Sequence, residues 1–296
     1  MLSYNSVDEL VKTASQAGRT IAEIVLEDQA QQLERPVANL VELMKYNLDV
    51  MREAAQTGLQ PGNRSASGLS GGNAYKLKQA LSNGQLLGGE MLNRALIKAL
   101  AVSEVNACMG RIVAAPTAGS CGIIPAVLLT VAEEKQITES QTVMGLFTAA
   151  GIGLAIAKQA SISGAEGGCQ AECGSASAMA AAAAVEMVGG TPIMAANATA
   201  FALKNVMGLI CDPVAGLVEV PCVKRNGWGA ASALVAANMA LAGIDSVIPA
   251  DEVIMAMKSV GNLMVTAFKE TAEGGLAATP TGKKLAAAIF DSGNQK

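Results

Sequence analysis

Six cysteines and no histidine are the first chemical feature of this 296-residue sequence. Cys211 and Cys222 enclose the stretch CDPVAGLVEVPC, and Cys169 and Cys173 lie in GGCQAECGS. Zinc sites usually combine paired cysteines with histidine, so Cys169 and Cys173 could form one pair but the Cys211–Cys222 spacing makes a poor second pair. Thiolates from separate loops can bind an iron–sulfur cluster, and three of them would leave one iron open as a Lewis acid.

The six cysteines differ in how strongly they suggest chemistry. Cys108 ends an apolar helical pattern, where a cysteine usually behaves as a small hydrophobic residue. Cys121 lies in Gly-Ser-Cys-Gly, which suits either a functional loop or the core. Glycines or prolines surround Cys169, Cys211 and Cys222, so we expect these three in loops between helices, where free backbone N–H groups can donate to sulfur.

Two stretches rich in glycine and serine could bind a small anion. The first, NRSASGLSGGNAYK, offers hydroxyls, backbone N–H groups and one arginine to a carboxylate or phosphate, but it is equally compatible with a flexible linker. The second, APTAGSCGIIP, places a Gly-Ser loop before a predicted helix N-terminus, where an anion would be favoured. It is equally compatible with an ordinary turn, and it lacks the lysine of a phosphate-binding P-loop.

Composition excludes several classes of protein. Hydrophobic residues make up 51% and charged residues 16%, which excludes disorder over most of the chain. The net charge of −4 and the lack of a basic cluster argue against nucleic-acid binding. Prolines, glycines or charges interrupt every long apolar run, so we expect no membrane span. MLSYNSVDELVK does not resemble a signal peptide, so we expect a cytoplasmic protein with reduced thiols.

The elements that would position these residues are predicted to be helices. Apolar residues recur at helical spacing, and no alternating β pattern runs longer than a few residues. The predicted helices cover approximately Ser6–Glu27, Gln29–Thr57 with an interruption at Pro36, Met91–Cys108, a stretch from Pro125, Thr138–Gln159, the Ala-rich stretch after Cys173, Met194–Leu209, a stretch from Lys224, Asp251–Lys269 and Gly282–Phe290. We predict a mainly α fold with one Ala/Gly-rich multi-helix domain over residues 1–296, cysteine-bearing loops, and an N-terminal helical segment over residues 1–57.

Five stretches together resemble the α chain of the iron–sulfur-dependent L-serine dehydratases. In chain order they are NRSASGLSGGNAYK, APTAGSCGIIPAVL, GCQAECGSASAMAAA, CDPVAGLVEVPCVKRN and KETAEGGLAATPTGK, and the resemblance covers roughly residues 10–290. It implies a four-iron four-sulfur (4Fe-4S) cluster bound by Cys169, Cys211 and Cys222, and no pyridoxal phosphate. It also implies that two segments surround the substrate, with the residues Asn63, Arg64, Ser65, Ser67, Gly68, Ser70, Gly71, Gly72, Asn73, Thr117, Ala118, Gly119 and Ser120.

The reaction implied by this resemblance converts the amino acid L-serine into pyruvate and ammonia. The open iron would bind the serine hydroxyl, the two segments would hold the carboxylate, and a base would remove the α-proton. Without histidine, that base would be a lysine, a carboxylate, a deprotonated cysteine or a group on another chain. Members of the family pair the α region with a β region that carries a Ser-His motif. We therefore expect a heterodimer with a serine dehydratase β chain that supplies the base.

Alternative functions and one departure from the family pattern accompany this prediction. An iron–sulfur L-cysteine desulfidase would use the same scaffold and the same cysteines, and a non-catalytic, zinc-structured helical binding protein would use the cysteines structurally. Single-chain relatives can end in a cysteine that reaches the cluster, whereas this chain ends in FDSGNQK. Glu172, Lys269 and Glu270 also lie in the matched stretches, but the sequence suggests no role for them.

Overall fold

The computed structural model describes residues 4–293, and this part of the chain is mainly α-helical, which confirms the predicted fold class. The helices are α1 (Val7–Ala17), α2 (Ile21–Gln32), α3 (Val37–Thr57), α4 (Asn73–Ser82), α5 (Glu90–Ala107), α6 (Ile123–Lys135), α7 (Glu139–Gln159), α8 (Gly164–Gly167), α9 (Ser175–Met187), α10 (Pro192–Lys204), α11 (Cys222–Leu241), α12 (Ala250–Leu263) and α13 (Pro280–Gly293). A π-helical turn covers Gln170–Gly174, and 3-10 turns cover Val214–Gly216, Thr266–Phe268 and Gly275–Ala278. Within residues 4–293 there is no strand, only an isolated parallel bridge between Cys211 and Lys269.

The Ala-rich helix α9 forms the centre of the core. Every residue of α9 except Glu186 is buried, because α6, α7, α10 and α11 surround it. Alanine side chains are short, so the neighbouring helices can approach closely and still bury a continuous apolar surface. The same hydrophobic cluster extends from Tyr4 on the N-terminal side to Met257 in α12, and it includes residues of α1, α2 and α3.

The two N-terminal helices predicted by sequence are three helices in the structure. The predicted helix over Ser6–Glu27 is wrong because Gly18 adopts a left-handed conformation with φ 61° and ends α1. Thr20 and Glu23 then form a capping box that starts α2. The helix predicted over Gln29–Thr57 is interrupted as expected near Pro36, since α3 begins directly after that residue.

Two predicted helices in the second half are too long. The helix predicted over Met194–Leu209 ends at Lys204. The helix predicted over Asp251–Lys269 ends at Leu263, because Met264 is extended, with φ −64° and ψ 133°. Because α12 ends at Leu263, the segment that follows can run beside Cys211, and Lys269 of this segment forms the isolated bridge with Cys211.

One helix in the described part of the chain is long and apolar enough to cross a membrane by length and composition. It is α7, and 67% of its most apolar window is buried in the protein. Helix α7 packs between α2 and α9, so its apolar character is explained by a position in the core.

Candidate active site

A π-helical turn places two cysteines and a glutamate together at the start of α9. Cys169 precedes the turn and Cys173 lies within it, and their sulfur atoms are 3.3 Å apart. The Glu172 carboxylate belongs to the same group, in which the potential ligand atoms all lie within 4.8 Å of one another. Single π-turns inside helices often occur at functional sites, because they redirect side chains that a regular helix would separate.

The stretch from Cys211 to Cys222 completes the group of buried thiols. Cys211 is extended, its N–H donates to the Phe268 carbonyl at 2.8 Å, and its carbonyl accepts from the Glu270 N–H at 2.9 Å. Cys222 is the first residue of α11. The expected loop position is therefore correct for Cys211, whereas Cys169 and Cys222 lie at helix starts. Pro221 does not keep Cys222 out of a helix, since proline is tolerated where a helix begins.

The electrostatics of the group favour one thiolate, on Cys169. Hydrogen bonds from the thiols of Cys173 and Cys211, together with the positive charge of Arg225, hold the pKa of Cys169 well below its usual range. The pKa values of Cys173 and Cys211 are raised, because each donates to that sulfur and is desolvated. Burial, and secondly the charge of Cys169, raises the pKa of Cys222 to about 12.

Arg225, in the first turn of α11, is the cation of the site. Its guanidinium is partly buried, forms an ion pair with the buried Asp212 at 2.8 Å and donates to the Ile210 carbonyl at 2.9 Å. Asp212 also accepts from the Leu276 N–H at 2.7 Å. Arg225 therefore fixes the segment around Cys211 while its charge stabilises the Cys169 thiolate.

The predicted segment Thr117–Ser120 packs directly against this group. The Thr117 hydroxyl donates a short hydrogen bond to Glu172 and lies 3.1 Å from the Ser120 hydroxyl. A Cβ atom at Gly119 would overlap the Glu172 carboxylate, so only glycine allows this approach. Burial is the main cause that raises the pKa of Glu172 to about 7, and the charge of Cys169 adds to it.

Asn226 connects Thr117–Ser120 to α11. Its Nδ2 donates to the Gly119 carbonyl at 2.7 Å and to the Cys222 carbonyl at 3.0 Å, and its Oδ1 accepts from the Gly122 N–H at 2.9 Å. The exposed Ala118 contributes its carbonyl to Asn106 at 3.2 Å. Backbone and amide contacts therefore hold the segment in place beside the start of α11.

The predicted segment Asn63–Asn73 is joined to the cysteine stretch by a buried carboxylate. The Ser65 hydroxyl donates to Glu219 at 2.6 Å, and the Ser67 hydroxyl donates to Glu219 at 2.7 Å. The Ser70 hydroxyl is buried and has no hydrogen-bond partner among the described residues. The segment is therefore an ordered loop, and its hydroxyls are not equivalent.

A second buried carboxylate holds the other end of this loop. Glu104 accepts from the N–H of Asn73 at 2.8 Å and from its Nδ2 at 2.6 Å, at the start of α4. Asn63 donates to the Thr57 carbonyl at 2.9 Å. The loop needs glycine where the backbone turns: Gly68, Gly71 and Gly72 have φ values of 75°, 130° and 75°.

Arg64 does not join the buried group. Its guanidinium is on an exposed residue beside Gly68, and it has no ion pair among residues 4–293. The structure thus brings together the thiols and both predicted segments, and leaves the Arg64 side chain at their outer edge.

Comparison with known proteins identifies the family of this chain. A family model described as "Serine dehydratase alpha chain" matches residues 16–277. The chain belongs to the serine dehydratase alpha-chain family. It is 51% identical to the probable L-serine dehydratase, alpha chain, of Bacillus subtilis, over 97% of this chain and 95% of that protein. It is 43% identical to the L-serine dehydratase, alpha chain, of Peptoniphilus asaccharolyticus, over 95% of this chain and 96% of that protein.

Some relatives of this chain within the serine dehydratase family are longer than the chain itself. The chain is 38% identical to the L-serine dehydratase of Streptomyces coelicolor over 93% of its own length, but this match covers 60% of that protein. The match with L-serine dehydratase 2 of Escherichia coli covers 61% of that protein. Both relatives thus contain a substantial segment outside the region that they share with this chain.

The positioning residues of the site are the ones that sequence analysis missed. Glu219 and Asp212 lie between the two cysteines of CDPVAGLVEVPC, and Arg225 and Asn226 lie in the adjoining VKRN. A charged residue in an otherwise apolar, Pro-bounded stretch was the available signal, because such a residue must find a partner once it is buried. Glu104 carries the same signal inside the apolar pattern of α5, where its exposed fraction is 0%.

Proposed function

We propose that this chain is the catalytic α subunit of an iron–sulfur-dependent L-serine dehydratase, which converts L-serine into pyruvate and ammonia without pyridoxal phosphate. The observation that carries the proposal is the buried group of thiols, in contact with both Gly/Ser-rich segments through Glu172 and Glu219. The names of the relatives, L-serine dehydratase and its alpha chain, support the substrate and the reaction.

The donor set at the site fits an iron–sulfur cluster. Cys169, Cys211 and Cys222 are all buried thiols, and thiolate sulfur is the usual ligand of such clusters. We propose that these three hold a 4Fe-4S cluster and leave one iron without a cysteine. When bound, a cluster of this kind supplies a Lewis acid that polarises the hydroxyl of the substrate. Glu172 and Cys173 lie close enough to Cys169 to form a competing donor set.

The chain's own residues would bind and orient the substrate. We propose that those backbone N–H groups of the Asn63–Asn73 loop that are not bonded within the fold, together with the Ser70 hydroxyl, hold the carboxylate of L-serine. Thr117 donates to Glu172, so within the Thr117–Ser120 segment it orients that carboxyl group beside the substrate. During the reaction the α-proton passes to a base, and the hydroxyl leaves with its bonding electrons and takes up one proton to become water. The resulting enamine tautomerises and is hydrolysed to pyruvate and ammonia.

We propose that a second chain supplies the base. The sequence contains no histidine, the most common general base of enzymes. The relatives called alpha chain are matched over nearly their whole length, whereas two relatives called simply L-serine dehydratase extend well beyond the match. A separate β chain in the cytoplasm, forming a heterodimer with this chain, would account for that difference.

Anaerobic purification followed by iron and sulfide analysis tests the cofactor. We expect a brown protein with both elements and a visible absorption band that bleaches in air, whereas zinc without iron would contradict the proposal. Turnover of L-serine and L-cysteine is then measured side by side with the second chain present. Faster sulfide release from L-cysteine than pyruvate formation from L-serine would favour the desulfidase instead.

The ligand assignment is tested by serine substitutions in the same preparation. Cys169→Ser, Cys211→Ser and Cys222→Ser should each abolish the visible band and the bound iron. Cys108→Ser is the control and should retain both, because Cys108 is half-buried and outside the group of thiols. Loss of iron in Cys173→Ser with retention in Cys222→Ser would show that the competing set around Glu172 is the correct one.

A further inference from the structure

We propose that Glu219 is a positioning residue that couples the cysteine stretch to the loop Ser65–Ser70, so that binding of the cluster orders this loop for the substrate. The inference rests on the proposed function. It starts from one contact between distant parts of the chain. The Glu219 carboxylate, three residues before Cys222, accepts hydrogen bonds from the hydroxyls of Ser65 and Ser67, which lie 154 and 152 residues earlier.

Glu219 can couple the two segments because its backbone is held by the same structure that holds Cys222. It is buried, with an exposed fraction of 6%. Its carbonyl accepts from the Val223 N–H at 3.0 Å, in the first turn of α11, and the neighbouring Val220 carbonyl accepts from the Val214 N–H at 2.8 Å. The backbone of Glu219 therefore belongs to the structure that holds Cys222, and any ordering of that structure reaches the carboxylate directly.

On the other side, Glu219 determines what the two serine hydroxyls can do. A hydroxyl has one proton to donate, and both Ser65 and Ser67 donate theirs to Glu219. Their lone pairs are then directed at the loop backbone: Ser65 Oγ accepts from the Ser70 N–H at 3.2 Å, and Ser67 Oγ accepts from the Leu69 N–H at 3.0 Å. The carboxylate thus sets the conformation of the loop through two short chains of hydrogen bonds.

The substitution Glu219→Gln tests this role with little change in size. Ser65 and Ser67 donate to different oxygens of the Glu219 carboxylate, and in glutamine one of these oxygens is replaced by an NH2 group that donates and cannot accept. The serine that has lost its acceptor must then turn its proton elsewhere, which weakens the hydrogen bond that its oxygen accepts from the loop backbone. We expect amide hydrogen exchange at Leu69 and Ser70 to rise about tenfold, which corresponds to the loss of about one hydrogen bond. Iron and sulfide content should be unchanged, because every cysteine is retained.

Coupling is tested by comparing the cluster-free and cluster-loaded full chain. In the wild type, loading should slow exchange at Leu69 and Ser70 as well as around Cys211. In Glu219→Gln, loading should still slow exchange around Cys211 but no longer at Leu69 and Ser70. With the complete enzyme, KM for L-serine should rise about tenfold while kcat changes less, since the variant loosens the loop and leaves the cluster intact.

Glu186→Gln is the matched control. Glu186 also accepts from a hydroxyl and from two backbone N–H groups, namely Thr148 at 2.5 Å, Ile21 at 2.7 Å and Ala22 at 3.0 Å, but at the start of α2. It should lower thermal stability without changing exchange at Leu69 and Ser70. If Glu219→Gln does not fold, Glu219→Asp repeats the measurement with the charge kept and the reach shortened.

Three outcomes would overturn the inference. The first is that Leu69 and Ser70 exchange in a folded Glu219 variant as slowly as in the wild type. The second is that Glu186→Gln accelerates exchange at these two residues as much as the Glu219 variant does. The third is that cluster loading still slows exchange at Leu69 and Ser70 in the Glu219 variant. The exchange measurements do not depend on turnover of L-serine. A failure of the proposed substrate would therefore leave them interpretable, and a failure of the coupling would leave L-serine turnover in the wild type unaffected.

Discussion

Individual hydroxyls of the site differ because most of them are already used by the protein. Ser65 and Ser67 donate to Glu219, Thr117 donates to Glu172, and Ser70 has no hydrogen-bond partner in the described part of the chain. Local sequence predicts that this loop is rich in donors, but it cannot predict which donor is free. That depends on a carboxylate that is distant in sequence and reaches the loop only after folding.

Ser70→Ala should separate binding from stability. Removing a buried hydroxyl that has no partner costs the fold little, so the midpoint of thermal unfolding should change by less than about 2 °C. KM for L-serine should rise about tenfold if this hydroxyl holds the substrate carboxylate. Ser65→Ala is the comparison, because it leaves Glu219 one donor short and should cost about 1–2 kcal/mol in the free energy of unfolding. Equal loss of stability in both variants would contradict the assignment.

The two cysteines outside the group of thiols should differ in reactivity. Burial raises the pKa of Cys121 to about 12, so at pH 8 only about one molecule in ten thousand carries the thiolate there. Desolvation also raises the pKa of Cys108, but this thiol is only half-buried and can be reached from solvent. Mass spectrometry after brief iodoacetamide treatment at pH 8 should find Cys108 alkylated and Cys121 intact. Modification of Cys121 in the folded chain at the rate of Cys108 would contradict the buried position.

The ends of helices are encoded by nearby residues in the sequence, whereas features that depend on contacts between distant residues are not visible there. Gly18 and the Thr20–Glu23 capping box divide α1 from α2, and both signals are present in the sequence although the continuous apolar pattern conceals them. The π-turn at Gln170–Gly174 has no distinctive pattern, because it depends on how α9 packs. The bridge between Cys211 and Lys269 joins segments far apart in sequence, so helical periodicity gives no indication of it.

Gly119→Ala should test the contact between the Thr117–Ser120 segment and the π-turn. The added methyl group would meet the end of the flexible Glu172 side chain, so Glu172 must move while the backbone can stay in place. We expect kcat/KM for L-serine to fall at least about tenfold, with a loss of stability of about 1 kcal/mol or less. Gly89→Ala is the control, because a Cβ at Gly89 meets nothing within 4 Å. Similar activity losses in both variants would contradict a specific role for this contact.

At the scale of the whole molecule, the chain brings a group of buried thiols together with two Gly/Ser-rich segments but contains no histidine. The mainly α class was predictable because composition and helical periodicity agree, and the hydrophobic cluster that runs from Tyr4 to Met257 supports our proposal of a single domain. The arrangement of the site was not predictable, because carboxylates such as Glu219 and Glu104 find their partners only in the folded structure. What the residues leave open is the source of the base.

A requirement for a second chain is the prediction that follows for the whole molecule. The cluster-loaded chain alone should bind L-serine, seen as a change in its visible spectrum, but should form pyruvate at least about a hundredfold more slowly than the mixture, because general-base catalysis contributes on that order. Anaerobic titration with the β chain should raise activity until the two chains are equimolar. Replacement of the histidine in the Ser-His motif of that β chain should abolish the increase without preventing association, as measured by size-exclusion chromatography. Full activity of this chain by itself would instead place the base among its own lysines, carboxylates or cysteines, with Glu172 the first to test, because its pKa of about 7 lets it accept a proton near neutral pH.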